Sequence, residues 1–168
     1  MLKWFWMALM VLPLLQFQPE AVISQSQFNF KAYQSSSIAK ILNANMVQIG
    51  EALRDDSKTV FTTSMNKYRV TGNYLGSPRK IKFSLRMRIN SWARALGVDK
   101  FIYGLFTHEI QMMENGKSYW LPVQKNLVPF MQDELSNDQV IDLFVVFIGV
   151  FRGSPVFLVN NFKKTRLH

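Results

Sequence analysis

The sequence has no cysteine and only two histidines, His108 and the terminal His168. Without cysteine, disulfide bonds, thiolate zinc sites, iron–sulfur clusters and cysteine nucleophiles are all excluded. The sequence also contains no Gly-x-Ser-x-Gly segment of the kind that carries a nucleophilic serine, and no glycine-rich phosphate loop. We therefore expect no metal, no cofactor and no enzymatic activity.

Acidic residues are scarce as well, with 11 Asp and Glu against 20 Lys and Arg, which gives a formal net charge of +9. The mean hydropathy is +0.00, which fits neither a polytopic membrane protein nor a disordered charged tail. A chain of 168 residues with 48% hydrophobic residues is long enough for one domain and hardly for two. The composition therefore predicts a single basic globular domain.

The apolar segment Leu2–Leu15 is too short to span a bilayer, which takes about 18 apolar residues. Lys3 stands near its start, and a polar stretch with small residues up to Ser24 follows it, the layout of a secretory signal. We interpret residues 1–24 as a signal peptide, residues 25–34 as a lead-in segment and residues 35–168 as a single domain. An uncleaved membrane anchor and a buried first helix are the alternatives.

The predicted location of the protein follows from this signal and from the absence of cysteine. A cysteine-free exported chain needs no oxidative folding, which suits a bacterial periplasm or cell surface better than eukaryotic secretion. We therefore expect an exported protein of the bacterial envelope.

Hydrophobic periodicity divides the remaining chain into one helix followed mainly by strands. After the capping serines 35–37, apolar residues between Ile38 and Leu53 recur in steps of three and four, as on one face of an amphipathic helix. In Lys80–Ile89 every second residue is apolar, which predicts a strand. The other predicted strands are 59–63, 68–71, 100–113, 118–123, 140–151 and 156–159, with short helices at 90–97 and 127–135.

These elements predict an α+β fold, an amino-terminal helix followed by a mostly antiparallel sheet. Asn115-Gly116 and the segment 152–155 are turn signals that connect neighbouring strands as hairpins. A sheet of this size is expected to close partly into a small barrel. Oligonucleotide-binding-like (OB-like) and SH3-like barrels both fit the number of elements.

The predicted strand at Lys80–Ile89 would carry Lys80, Lys82, Arg86 and Arg88 on one face. Alternate residues of a strand lie about 6.6 Å apart, so these four charges would repel one another unless an anionic partner relieved the cost. The alternative is an edge strand that its charges protect against aggregation.

Three aromatic residues stand beside a predicted corner or turn and are therefore expected to be partly exposed, namely Trp92, Tyr119 and Trp120. Arg94 lies close to the first of them. Basic and aromatic residues on one face suit stacked bases, sugar rings or a protein partner. The alternative is that these rings belong to the corners of the core.

The favoured function is an exported, non-enzymatic binding or assembly module, which binds an acidic protein surface or an anionic envelope polymer or lipid head group. The first alternative is a cytoplasmic barrel that binds single-stranded nucleic acid. The second is an enzyme with His108 as its base. Its neighbour Glu109 would point to the opposite face of a strand, which argues against their cooperation.

Overall fold

The computed structural model describes residues 28–165, so the predicted signal peptide lies outside the described residues and stays a prediction. The helices are α1 (Ile38–Ala44), α2 (Met46–Arg54), α3 (Phe83–Ala95), α4 (Asp99–Ile102) and α5 (Val128–Glu134). The strands are β1 (Gln34–Ser35), β2 (Thr59–Phe61), β3 (Lys67–Tyr74), β4 (Arg79–Lys80), β5 (Phe106–Glu114), β6 (Lys117–Gln124), β7 (Gln139–Phe151) and β8 (Ser154–Lys164). Among the helices of this part, none is both long and apolar enough to cross a membrane.

Five of the strands pair in a ring, in the order β3, β5, β6, β8, β7 and back to β3. These pairs are antiparallel except for β6 and β8, which run parallel with Val123 opposite Val159. The three short strands extend the ring: β1 pairs with β3, β2 with β7 and β4 with β5. The expectation of helices combined with a partly closed sheet is thus confirmed, and the sheet is mixed.

The main hydrophobic core fills the ring and extends under α1, α2 and α5. The predicted helix between Ile38 and Leu53 is present as two helices, because the chain breaks at Asn45. The Asn45 side chain donates a hydrogen bond from Nδ2 to the carbonyl oxygen of Ile41 at 2.7 Å, a local bond that competes with continued helix. Ile49 of the second helix is fully buried in the same core.

The start of α1 is tied to the far end of β5. The backbone N–H of Ile38 donates to both carboxylate oxygens of the buried Glu114, at 3.0 and 2.9 Å. Ser37 caps the same helix by accepting a hydrogen bond from the N–H of Lys40 at 3.2 Å. These bonds satisfy amides that have no partner within the helix, and they fix α1 beside the β5–β6 turn.

The prediction of a strand at Lys80–Ile89 is wrong, since only β4 is extended there and α3 takes the rest. Phe83 and Met87, which the strand pattern placed in the core, are exposed. The residues of α3 and its carboxyl-terminal cap that pack on the protein are Leu85, Ile89, Trp92, Ala93 and Leu96. Their spacing is helical, and they cover the outward-facing apolar residues of β7 and β8, which form a second core layer with them.

The predicted strand at residues 100–113 is correct only in its second half. Its first residues belong to α4, and β5 begins at Phe106. Gly104 lies between the two elements with φ +71°, a left-handed conformation that glycine adopts without strain. Because this turn separates α4 from β5, the apolar run before it does not join the sheet: Ile102 packs against the second core layer, whereas Phe101 and Tyr103 are exposed.

The carboxyl-terminal elements follow the sequence closely. Asn115 and Gly116 form the β5–β6 turn with φ values of 50° and 76°, as predicted. Pro129 lies in the first turn of α5. β7 is buried on both faces, with Phe147 in the ring core and Ile148 in the outer layer, and its pairing with β8 shifts register before Gly149.

Three buried or half-buried phenols make the fold sensitive to alkaline pH. Burial raises the pKa of Tyr33, Tyr74 and Tyr119 above the ordinary value of 10.0, and the charge of Glu114 adds to the effect at Tyr119. Because folding favours the neutral phenols, this stability is fully present below pH 10 and is lost as the pH rises through the higher folded pKa values. We expect the free energy of unfolding, measured with urea, to be lower at about pH 11 than at about pH 9.

The variant Tyr74→Phe is the control, because it keeps the buried ring and removes one titrating group. Its unfolding free energy should fall less between the two pH values than that of the wild type. Equal losses in the two proteins would show that the Tyr74 phenol does not contribute.

Candidate functional site

Three parts of the fold meet at a cleft of about 180 Å³, which we name the Trp120 cleft. One wall is the outer face of the β5–β6 hairpin, the second is the connection from β3 to β5, and the third is the turn between β7 and β8. The residues that define it are Arg79, Lys82 and Leu85 from the connection, Glu109, Trp120 and Pro122 from the hairpin, and Phe151, Arg152 and Pro155 beside the turn.

An arginine is stacked on the tryptophan of this cleft. The guanidinium carbon Cζ of Arg79 lies 3.4 Å from the centroid of the Trp120 ring. Its Nε donates a hydrogen bond to Oε1 of Glu109 at 2.6 Å, and β4 places these two residues opposite each other in register. The carboxylate is buried and the arginine is about half exposed, so Glu109 orients the guanidinium and leaves part of it open to solvent.

The charge of the cleft is positive. Lys82 and Arg152 line it together with Arg79, and among the described lining residues Glu109 is the only acid. Arg152 occupies the turn with φ 48°, and its backbone N–H donates to the carbonyl oxygen of Lys58 at 3.1 Å. An anion entering this cleft would meet two cations besides the one that Glu109 already neutralises.

The predicted basic residues do not form one face. Lys82 lines the Trp120 cleft, whereas Lys80 and Arg86 line a separate depression of about 320 Å³. Arg86 and Arg88 are two positions apart on α3, which turns them about 200° from each other around the helix axis. Arg94 is exposed on the same helix. The single stripe expected from the sequence therefore does not exist.

The three predicted aromatic residues also separate. Trp92 is buried in the outer core layer, where its Nε1 donates to the carbonyl oxygen of Thr62 at 2.8 Å, so the prediction that it is partly exposed is wrong. Tyr119 packs against the ring core, while Trp120 lines the outer cleft. Adjacent strand residues point to opposite faces, so only Trp120 of this pair reaches the cleft.

His108 and Glu109 do not act together. Nδ1 of His108 lies 2.9 Å from the hydroxyl of Thr107, while Glu109 pairs with Arg79 in the Trp120 cleft. His108 instead lines the separate depression with Lys80 and Arg86. The geometry gives His108 no carboxylate partner among its described contacts.

Three important cleft residues were outside the predicted site, namely Arg79, Glu109 and Arg152. Glu109 and Arg152 lie far apart in the sequence, and they meet only because β5 and the β7–β8 hairpin belong to one closed ring. Arg79 was visible only as a basic neighbour of Lys80. No local pattern in the sequence joins these residues to Trp120.

Comparison with known proteins finds no family model and no curated protein that matches the chain. Among solved structures, two crystal structures of the mitochondrial single-stranded DNA binding protein Rim1 from S. cerevisiae are similar. The first, labelled with selenomethionine, has 6% identity and a TM-score of 0.35, and the match covers 62% of this chain and 98% of Rim1. The second has 8% identity and a TM-score of 0.34, with 62% and 99% covered.

The predicted function and partners need correction. We predicted a module that binds an acidic protein surface, an anionic envelope polymer or a lipid head group. That prediction depended on a stripe of basic residues along one strand, and the stripe is absent because most of the segment is a helix. This prediction was therefore wrong, while export, which concerns residues outside the described part, stays a prediction.

Proposed function

We propose that the chain binds single-stranded nucleic acid in the Trp120 cleft and that it does so without catalysis. The ring supports an OB-like interpretation, with β3, β5, β6, β7 and β8 as the five strands of the barrel. OB barrels bind oligonucleotides on the face of their second and third strands, between the loops that connect strands one and two and strands four and five.

The position of the cleft is the observation that carries this proposal. In this chain the second and third strands are β5 and β6, whose outer face supplies Trp120. The connection between the first two strands supplies Arg79 and Lys82, and the turn between the last two supplies Arg152. The cationic and aromatic groups thus lie where an OB-like barrel binds its ligand.

The side chains suit the two chemical parts of a nucleotide. Bases stack on aromatic rings and on arginine planes, and the stacked pair of Trp120 and Arg79 places one group of each kind in the cleft. Lys82 and Arg152, which line the same cleft, provide cationic groups that can contact the phosphates beside a stacked base. Because stacking requires a base whose face is free, unpaired strands bind better than duplexes, and with little preference for sequence.

The double variant Lys82→Gln/Arg152→Gln tests the phosphate contacts. We expect it to weaken binding of a fluorescently labelled oligothymidylate and to flatten the salt dependence of that binding. Each lost phosphate contact removes about 0.7 from the slope of log K against log salt, so the two together remove about 1.4. Fluorescence anisotropy at several salt concentrations measures both quantities.

The matched control is Lys40→Gln/Lys117→Gln, which loses the same charge from exposed positions. These lysines lie near the β5–β6 turn, where α1 binds Glu114. Glu109, in the Trp120 cleft, and Glu114, beside the control lysines, are five residues apart on β5. The control site and the cleft are therefore about 17 Å from each other. A control that flattens the slope as much as the cleft variant would contradict a specific site and indicate binding by net charge.

A further inference from the structure

A second and larger cavity of about 630 Å³ lies away from the Trp120 cleft, and we name it the Phe101 cleft. It lies between the lead-in segment, the α4–β5 region and the outer faces of β7 and β8. Its apolar wall includes Phe28, Met65, Phe101, Leu105, Val146 and Leu158. Phe101 is 81% exposed and Met65 46%, so large apolar side chains border the opening instead of closing it.

One side of the Phe101 cleft is polar and internally hydrogen-bonded. Nε2 of Gln124 donates to Oδ1 of Asn160 at 3.1 Å, and Nδ2 of Asn160 donates to the hydroxyl oxygen of Tyr33 at 3.2 Å. The Tyr33 oxygen is the acceptor at the end of this series of hydrogen bonds, so its own O–H remains available to donate to a ligand. Burial raises the pKa of Tyr33, which keeps the phenol neutral and able to donate at neutral pH.

The charged residues at this cleft are of one sign. Lys67 and Lys125 line it, and the described lining residues include no carboxylate. Nζ of Lys67 lies 5.9 Å from the centroid of the Tyr33 ring, so one of the two ammonium groups lies on the same side of the cleft as this phenol. A hydroxyl donor and nearby cations are a suitable environment for a carboxylate.

From this combination we propose that the Phe101 cleft binds a fatty acid. Its volume falls within the range of about 300–1,000 Å³ that is usual for small-molecule sites, and its lining has the usual mixture of an apolar wall with a few converging polar groups. The alkyl chain packs along the apolar wall, and the carboxylate accepts a hydrogen bond from Tyr33 with Lys67 and Lys125 nearby. This inference does not depend on nucleic-acid binding.

Titration of the full chain with a dansyl-labelled undecanoate tests the proposal. We expect saturable binding of one probe per chain, displacement by laurate, and much weaker displacement by methyl laurate, which lacks the charge. The double variant Lys67→Gln/Lys125→Gln should bind laurate at least fivefold more weakly and leave methyl laurate unchanged. Equal competition by the acid and the ester in the wild type would overturn the proposal.

A second pair of variants tests the apolar wall. Phe101→Ala removes an exposed ring from this cleft and should weaken probe binding at least threefold, whereas Phe130→Ala removes an exposed ring from α5 and should not. Displacement of the probe by oligothymidylate would overturn the proposal, because the cleft would then belong to the nucleic-acid path. Dimerisation that Phe101→Ala abolishes would also overturn it, since the occupant would be a second copy.

Discussion

Trp120→Ala is expected to lower the affinity for single-stranded oligothymidylate by about 5- to 140-fold. Alanine substitution of a stacking aromatic costs about 1–3 kcal/mol per base, and each 1.4 kcal/mol corresponds to about a factor of ten. The loss should be large here because Trp120 also supports the guanidinium of Arg79, at 3.4 Å from its ring centroid. Fluorescence anisotropy at fixed low salt measures the change.

The conservative variant Trp120→Phe separates stacking from folding. It keeps an aromatic face beside Arg79, so we expect it to retain most of the affinity. The Arg79–Glu109 ion pair does not include Trp120, and we expect it to form in both variants. The unfolding free energy of each variant is measured in parallel with urea. Unchanged binding by a folded Trp120→Ala protein would show that no base stacks on Trp120.

Gly149→Ala is expected to destabilise the protein by about 4 kcal/mol, which is among the larger effects of a single substitution. A β-carbon at this position would overlap the carbonyl oxygen of Val60 and lie 2.7 Å from Cα of Phe61, both backbone atoms of β2. The residue also has φ +134°, a conformation that side chains rarely adopt. Since the contacts are with backbone, no side-chain rotation can relieve them.

Gly104→Ala provides the comparison, because it has φ +71° and open space around the added methyl group. Backbone conformation alone should cost it about 1–2 kcal/mol. Urea denaturation of both variants separates the two contributions. If Gly149→Ala were no more destabilising than Gly104→Ala, the tight approach of β2 to the β7 bulge would not hold in solution.

The sequence predicted the fold best where local chemistry decides the structure. Asn115-Gly116 favours a hairpin turn that needs two positive φ values, and both residues have them in the structure. It failed at Lys80–Ile89, where the same residues fit periods of two and of 3.6. As a helix, the segment covers the outward apolar residues of β7 and β8. This packing depends on residues far away in the sequence, so the segment by itself does not reveal it.

The candidate site was predictable in part for the same reason. Trp120 and Lys82 could be selected as aromatic and basic residues beside a turn or in a charged segment, and both line the cleft. Glu109 and Arg152 come from distant strands and meet through ring closure, so no sequence window contains their relationship. Trp92 was misplaced because its burial depends on α3 packing across the outer layer.

The central claim is that an unpaired base stacks on Trp120, and photo-crosslinking tests it most directly. The full chain is irradiated with an oligothymidylate that carries one iodinated uracil, and tryptic peptides are sequenced by mass spectrometry. We expect the adduct in the peptide Ser118–Lys125, which contains Trp120. An adduct confined to other peptides, or one formed equally well with duplex DNA, would contradict the account.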